Sequence, residues 1–124
     1  LTGETRTCIA AEEPAAGLTY TVPVGSQLSL AAGSAARVYA AFSLIDATPF
    51  PASELRKVRE TGLAESVAER EVGLASVSTP VRERDGSVIA VLSVSGPAER
   101  LSPSPAAKWG EALLAARERL EAAL

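Results

Sequence analysis

The sequence predicts an α+β domain in which an antiparallel sheet carries helices on one side. Three observations predict it. Patterns of alternating and helical periodicity arrive in blocks, strands first, then helices, then a hairpin, then a helix, an order that belongs to α+β architectures. Asp85-Gly86 lies between two alternating runs, the strongest short-range hairpin signal. The last twenty residues open on Ser104-Pro105 and carry apolar residues at helical spacing. At 124 residues the chain is one domain with room for a real core.

The elements follow in order. Thr5 to Ala10 reads as a short strand, and Glu12 to Gly17 as a turn. Leu18, Tyr20, Val22 and Val24 alternate with polar residues or proline, a half-buried strand that Pro23 places at an edge or a bulge. Gln27 to Leu30 is a further short strand. Ser34 is a candidate N-cap for a helix whose inner face is Ala35, Val38, Phe42 and Ile45. Thr48-Pro49-Phe50-Pro51 ends it. Ser53 is the candidate cap of the next helix, with Leu55 and Val58 inward and Gly62 as its stop. Leu63 to Glu71 reads as a polar linker. The hairpin follows, and in the last helix Trp109, Leu113, Ala116, Leu120 and Leu124 form the expected packed stripe.

Composition removes several function classes. Hydrophobic residues make up 47% and charged residues 22%, the balance of a globular chain, with a net charge of −3. The basic residues are scattered, so no nucleic-acid footprint is visible. No apolar run reaches the roughly 18–20 residues of a membrane span. There is no histidine and a single cysteine, which removes the commonest general base and any intrachain disulfide or cysteine metal cluster. No catalytic residue, metal ligand or cofactor is therefore expected. A Ser-Lys pair could draw only on Lys57 and Lys108, both placed outside by their helical patterns. Cys8 reads as an inert buried thiol. The chain has no methionine and opens on Leu1-Thr2-Gly3-Glu4, which reads as a piece of a longer protein kept in a reducing, cytoplasmic compartment.

The hairpin holds the candidate site. With Asp85-Gly86 as a two-residue turn, Ser78 faces Ser93 and Ser76 faces Ser95, and alternation gathers all four hydroxyls on one face. Val77, Val81, Val88, Ala90, Leu92 and Val94 then make the opposite face, the expected core side. A hydroxyl-lined upper face reads as the floor of a pocket for a small polar ligand.

The motifs together resemble the C-terminal effector-binding domain of IclR-type bacterial transcription regulators. Thr2-Gly3-Glu4-Thr5 resembles the opening of that domain's first strand. Gly25 to Phe42 resembles its loop and helix, Glu54 to Gly62 its "EL..VR..G" helix, Glu69 to Val81 its "E..G..C.A.PV" segment and Ser93 to Pro97 its "S.SGP" segment. The resemblance implies a GAF/PAS-like fold with a curved antiparallel sheet over residues 1–124. It implies a small organic acid effector, a carboxylate or aromatic acid. It implies a homodimer or homotetramer that reaches DNA only through a winged helix-turn-helix missing from this chain. It assigns ligand contacts to Ser76, Ser93 and Ser95 and to the start of the helix at Ser34 and Ala35. Ser66 stands where some members carry an acid. Ser78 belongs to the same patch as the least certain ligand contact and the first to read as plain structure. Serine hydroxyls and helix N-terminal N–H groups suit an acceptor-only carboxylate.

Three departures accompany the resemblance. Ala36-Arg37 replaces a Gly-Lys pair, and Ala31 replaces a histidine. Arg37 reads as a surface residue or ion pair, and Glu69-Arg70-Glu71 as a solvated charged turn. The alternative to a sensor is an oligomerisation module with a vestigial pocket and no ligand response.

Overall fold

The structure is a computed structural model that describes residues 5–12, 23–42, 44, 48–69, 73–101 and 103–124. Two antiparallel sheets form among them. In the smaller, β1 (Thr5–Thr7) pairs with β2 (Gln27–Ser29), with Arg6 opposite Leu28. The larger has the order β3-β4-β5, built from β3 (Ala64–Val67), β4 (Leu74–Arg82) and β5 (Val88–Pro97). Four helices are found among the described residues: α1 (Ser34–Ala41), α2 (Ala52–Thr61), α3 (Ala98–Leu101) and α4 (Pro105–Ala122).

The expected α+β class is what forms, and its strands pair antiparallel. The layering differs from the expectation of helices on one side. Cross-strand partners point the same way, so Ala64, Ser66, Ser76, Ser78, Pro80, Val91, Ser93 and Ser95 share one face of the larger sheet. The α1 helix lies across that face, with the Ser34 hydroxyl bonded to Ser76 and Ser78. The α4 helix lies across the other face. There Arg117 donates to the Thr79 hydroxyl, and the Glu65 carboxylate accepts from Ser104 and Ala106 at the start of α4. The buried cluster Val38, Ala40, Ala41, Leu55, Val58 and Ala64, with Phe42, Phe50 and Val91 against it, is thus on the serine side. Val77, Thr79 and Val81 are buried on the α4 side as well. The sheet has a core on each face, not a greasy underside and a polar top.

Several local expectations change. The β1 strand stops at Thr7, although Cys8 continues the pairing by donating to the Ser26 carbonyl and accepting from Gly25. Residues 18–22 of the expected edge strand, and Ile45, fall outside the described residues; Pro23 and Val24 lie in a turn and not a strand. Ser34 is not a cap. Gly33, at φ 97, takes that position, and Ser34 becomes the first buried helical residue. Such a φ is open to glycine without cost. Nor does Ser53 cap α2, because Pro51 in extended conformation does. Gly62 closes α2 at φ 75 as expected.

The segment read as a polar linker contains β3, and α3 was not foreseen. In β3 small Ala64 and Ser66 point inward while Glu65 and Val67 point outward, an alternation that short, unbranched residues make faint. The α4 helix begins as expected, with the Ser104 hydroxyl accepting from Ala107 N–H and Pro105 in the first turn. Its packed stripe is different. Pro105, Gly110 and Leu113 are buried, whereas Trp109, Leu120 and Leu124 are 47%, 41% and 48% exposed. Gly110 sits there because a Cβ would lie 2.8 Å from Leu63 Cδ1.

The hairpin has the expected serine register by a route of its own. Glu83 N–H donates to the Ser87 carbonyl, so the loop is the three residues Arg84, Asp85 and Gly86, with Gly86 at φ 89. That shifts the pairing by one. A bulge between Val81 and Arg82, where Val81 faces Ala90 but Arg82 faces Val88, shifts it back. Ser78 then faces Ser93, and Ser76 faces Ser95.

Candidate functional site

The serines gather into one chain of hydroxyls. Ser66 Oγ lies 3.0 Å from Ser76 Oγ. Ser76 Oγ is 2.6 Å from Ser34 Oγ, which is 2.6 Å from Ser78 Oγ, itself 2.6 Å from Ser93 Oγ. Three strands and a helix supply its members: β3 gives Ser66, β4 gives Ser76 and Ser78, β5 gives Ser93, and α1 gives Ser34. Ser34, Ser66 and Ser78 are buried, Ser76 is half-buried, and Ser93 and Ser95 are exposed. Ser95 flanks the network opposite Ser76. Ala35 sits in the first turn of α1, half-buried.

The chain limits what these groups can offer. A hydroxyl carries one donor hydrogen. Five hydroxyls joined by four bonds spend four of their five protons on one another. One proton is left, on whichever member of the chain accepts within it without donating. The expected open floor is therefore half covered: α1 seals the Ser78 portion, and Ser76, Ser93 and Ser95 remain reachable. Ser78, at 0% exposure, is an internal link. The open depressions of about 520 and 300 Å³ lie elsewhere, at the hairpin tip beside Arg82, Glu83, Arg84 and Asp85.

Sequence reasoning missed how Arg37 and Glu69 come together. Arg37 forms an ion pair, one of the two expectations for it, but it is buried and not on the surface. Its Nε donates to Glu54 Oε1 at 2.5 Å, its Nη1 to Glu69 Oε1 at 2.7 Å, and its Nη2 lies 2.6 Å from Glu69 Oε2. The guanidinium carbon is 4.4 Å from the Phe50 ring centroid, a cation over an aromatic face. Glu69 also accepts from Gly33 N–H at 3.2 Å. Glu69 is exposed, as expected of a charged turn, and Arg70 and Glu71 lie outside the described residues; yet the Glu69 carboxylate also sits on the N-cap of α1, where the helix dipole and backbone N–H groups favour an anion. Burial pushes the Glu69 carboxyl upward, but hydrogen bonds from Arg37 and Gly33 and the charge of Arg37 outweigh it and hold it below the usual range. Burial likewise opposes the charge of Arg37, and the two carboxylates reverse that and raise its pKa. The sequence signal was spacing: Arg37 is one turn into α1, so its side chain reaches back toward the helix start.

Glu65 repeats the device on the other face, where its Oε2 accepts from Ser104 Oγ at 2.8 Å and Ala106 N–H at 2.9 Å. Among the described residues no group of three or more His, Cys, Asp or Glu is placed to hold a metal. No described helix is long and apolar enough to cross a membrane. Cys8 is half-buried and not sealed in a strand.

The layered antiparallel sheet has counterparts among solved transcription regulators. The likeness to solved structures makes that class explicit. The IclR of Thermotoga maritima superposes with a TM-score of 0.81 over 100% of this chain and 58% of that one, at 19% identity, a likeness of fold. HmgR of Pseudomonas aeruginosa superposes with a TM-score of 0.75 over 93% of this chain and 53% of that one, at 30% identity. In sequence, the HTH-type transcriptional repressor AllR of Salmonella typhi is 29% identical over 94 residues, which is 76% of this chain and 34% of the repressor. The chain thus spans about a third of the curated relative it matches. The family described as bacterial transcriptional regulator IclR C-terminal matches residues 50–122, more than half of the sequence, and the chain belongs to it. Its fold is accordingly GAF-like, and its relatives are transcriptional regulators, not enzymes.

Proposed function

We propose that residues 1–124 are the effector-binding domain of a cytoplasmic bacterial transcription regulator, sensing a small carboxylate or aromatic acid. DNA contact would belong to a winged helix-turn-helix elsewhere in the parent protein. The observation that carries this reading is the convergence of Ser76, Ser93 and Ser95 with the start of α1 at Ser34 and Ala35. Exposed hydroxyls and helix N-terminal amides are the donors an acid effector needs. Ser66 and Ser78 serve as its buried support. Binding would shift the subunit arrangement of a homodimer or homotetramer only to the extent that the two arrangements bind the acid differently.

Calorimetry and thermal shift with a panel of small aliphatic and aromatic acids test the reading. At least one acid should stabilise the chain, and Ser93→Ala with Ser95→Ala should reduce its affinity by about tenfold or more, roughly one charged hydrogen bond. Silence across the panel, or an unchanged response in the double variant, would sink it.

One observation favours the second reading, an oligomerisation module with a vestigial pocket. The serines are largely satisfied by one another, while Trp109 and Leu120 on α4, and Leu124 just past its end, expose apolar surface. Light scattering separates the two: a constant oligomer with no acid response supports the module.

A further inference from the structure

We infer that Glu69 is a built-in competitor for the effector's carboxylate, and so sets which ligands the site accepts. The inference rests on the reading that the start of α1 faces the effector. Glu69 already holds the anion position there, bonded to Gly33 N–H and paired with Arg37. An acid bound at the neighbouring Ser34 and Ala35 amides would bring a second carboxylate against it. Like charges brought side by side repel, even with the Glu69 side chain partly exposed. An acid therefore binds by displacing Glu69, and inherits Arg37 when it does. Displacement is feasible because Arg37 keeps a second partner, Glu54, at 2.5 Å, so the buried cation is never left bare. Glu69 is also the more accessible partner: its side chain is 31% exposed against 10% for Arg37. Ala68, immediately before it, holds φ 60, a left-handed conformation that costs a non-glycine residue about 1 kcal/mol. Ala68 lies directly after β3, its N–H donating to the Leu74 carbonyl of β4, and Glu69 follows it.

The consequence is selectivity by charge. A neutral ligand that uses only the exposed serines does not meet Glu69. An acid must outcompete it, which favours acids with enough remaining contacts to the serine face. Glu69 is thus a positioning and specificity residue for the site, not a member of its hydroxyl floor.

The test titrates the whole chain and its Glu69→Gln variant with benzoate and with benzamide, its uncharged counterpart, by calorimetry. Glutamine keeps the size and one acceptor but removes the charge. Glu54→Gln, which alters the other partner of Arg37, serves as the control for general loosening. The expected result is a gain in benzoate affinity of about tenfold or more in Glu69→Gln, no gain for benzamide, and no comparable gain in Glu54→Gln. In the unaltered chain, the Glu69 carboxyl followed by NMR should return toward the ordinary glutamate value when benzoate saturates the site. If benzoate binds equally well or worse after Glu69→Gln, or if benzamide gains as much, the competitor is overturned and the effector site stands. If neither benzoate nor any acid of the panel binds either chain, the effector reading falls and the competitor falls with it.

Discussion

Ser78 and Arg37 show how far a residue's type is from its role. Ser78 looked like the least important of four strand serines, yet it links Ser34 on α1 to Ser93 on β5 and is fully buried. Ser78→Ala should therefore cost about 1–2 kcal/mol in urea denaturation, since the buried Ser34 hydroxyl and the exposed Ser93 hydroxyl each lose a partner. Ser95→Ala, at an exposed position, should cost under about 0.5 kcal/mol. Arg37 is a forked cation held by two carboxylates and a ring. A lysine supplies a point charge that cannot serve all three, so Arg37→Lys should lose about 1–3 kcal/mol, the partial exposure of both glutamates limiting the loss. The pH dependence follows from Glu69. Its carboxyl, beside Arg37 and with Glu54 beyond that cation, lies below its ordinary value in the folded chain. A depressed acid contributes stability that is present above its unfolded value and is lost as pH falls through the folded one. Stability should thus decline below about pH 4.5, the ordinary glutamate value, and Glu69→Gln should flatten part of that decline in denaturation series from pH 7 to pH 3. Asp85, lowered by its bonds to Ser87 at the hairpin turn, leaves a remainder of the slope in place.

At the scale of the element, what could be read in the sequence depended on whether a local rule decided the outcome. Ser104-Pro105 opened α4 and Gly62 closed α2 because capping is settled within a few residues. The packed face of α4 was legible only in part. Of the expected stripe Leu113 is packed, but Trp109, Leu120 and Leu124 are exposed, and polar contacts pin the helix in that orientation. Glu65 holds its first turn, and Glu121 accepts from Arg82 N–H at 2.6 Å near its end. Leu113→Ala should therefore cost about 2–4 kcal/mol, and Leu120→Ala less than about 1 kcal/mol, both read from chemical denaturation midpoints. Equal losses would return the helix to the orientation its hydrophobic pattern suggests. The hairpin carries a similar lesson. The serine register was legible even though the loop holds three residues instead of two, because a bulge beside Val81 restores the count. The register answers to both faces of the sheet and not to the turn alone.

For the whole molecule, the sequence by itself determined the class: an α+β domain with an antiparallel hairpin, no histidine for catalysis, and motifs at a spacing that one family shares. It determined which serines share a face, because alternation is a property of any strand. Only the tertiary structure decided what covers that face. The helices sit on both sides of the sheet, so the serines meet α1 and one another, and a polar patch becomes a hydrogen-bonded seam. The same packing brought Glu69 to Gly33 and Arg37 across 36 and 32 residues of chain. No periodicity encodes such a meeting. Local pattern reports which way a side chain points, whereas its partner is set by how separate elements share one buried volume, and there unsatisfied charge and hydroxyl groups must find each other.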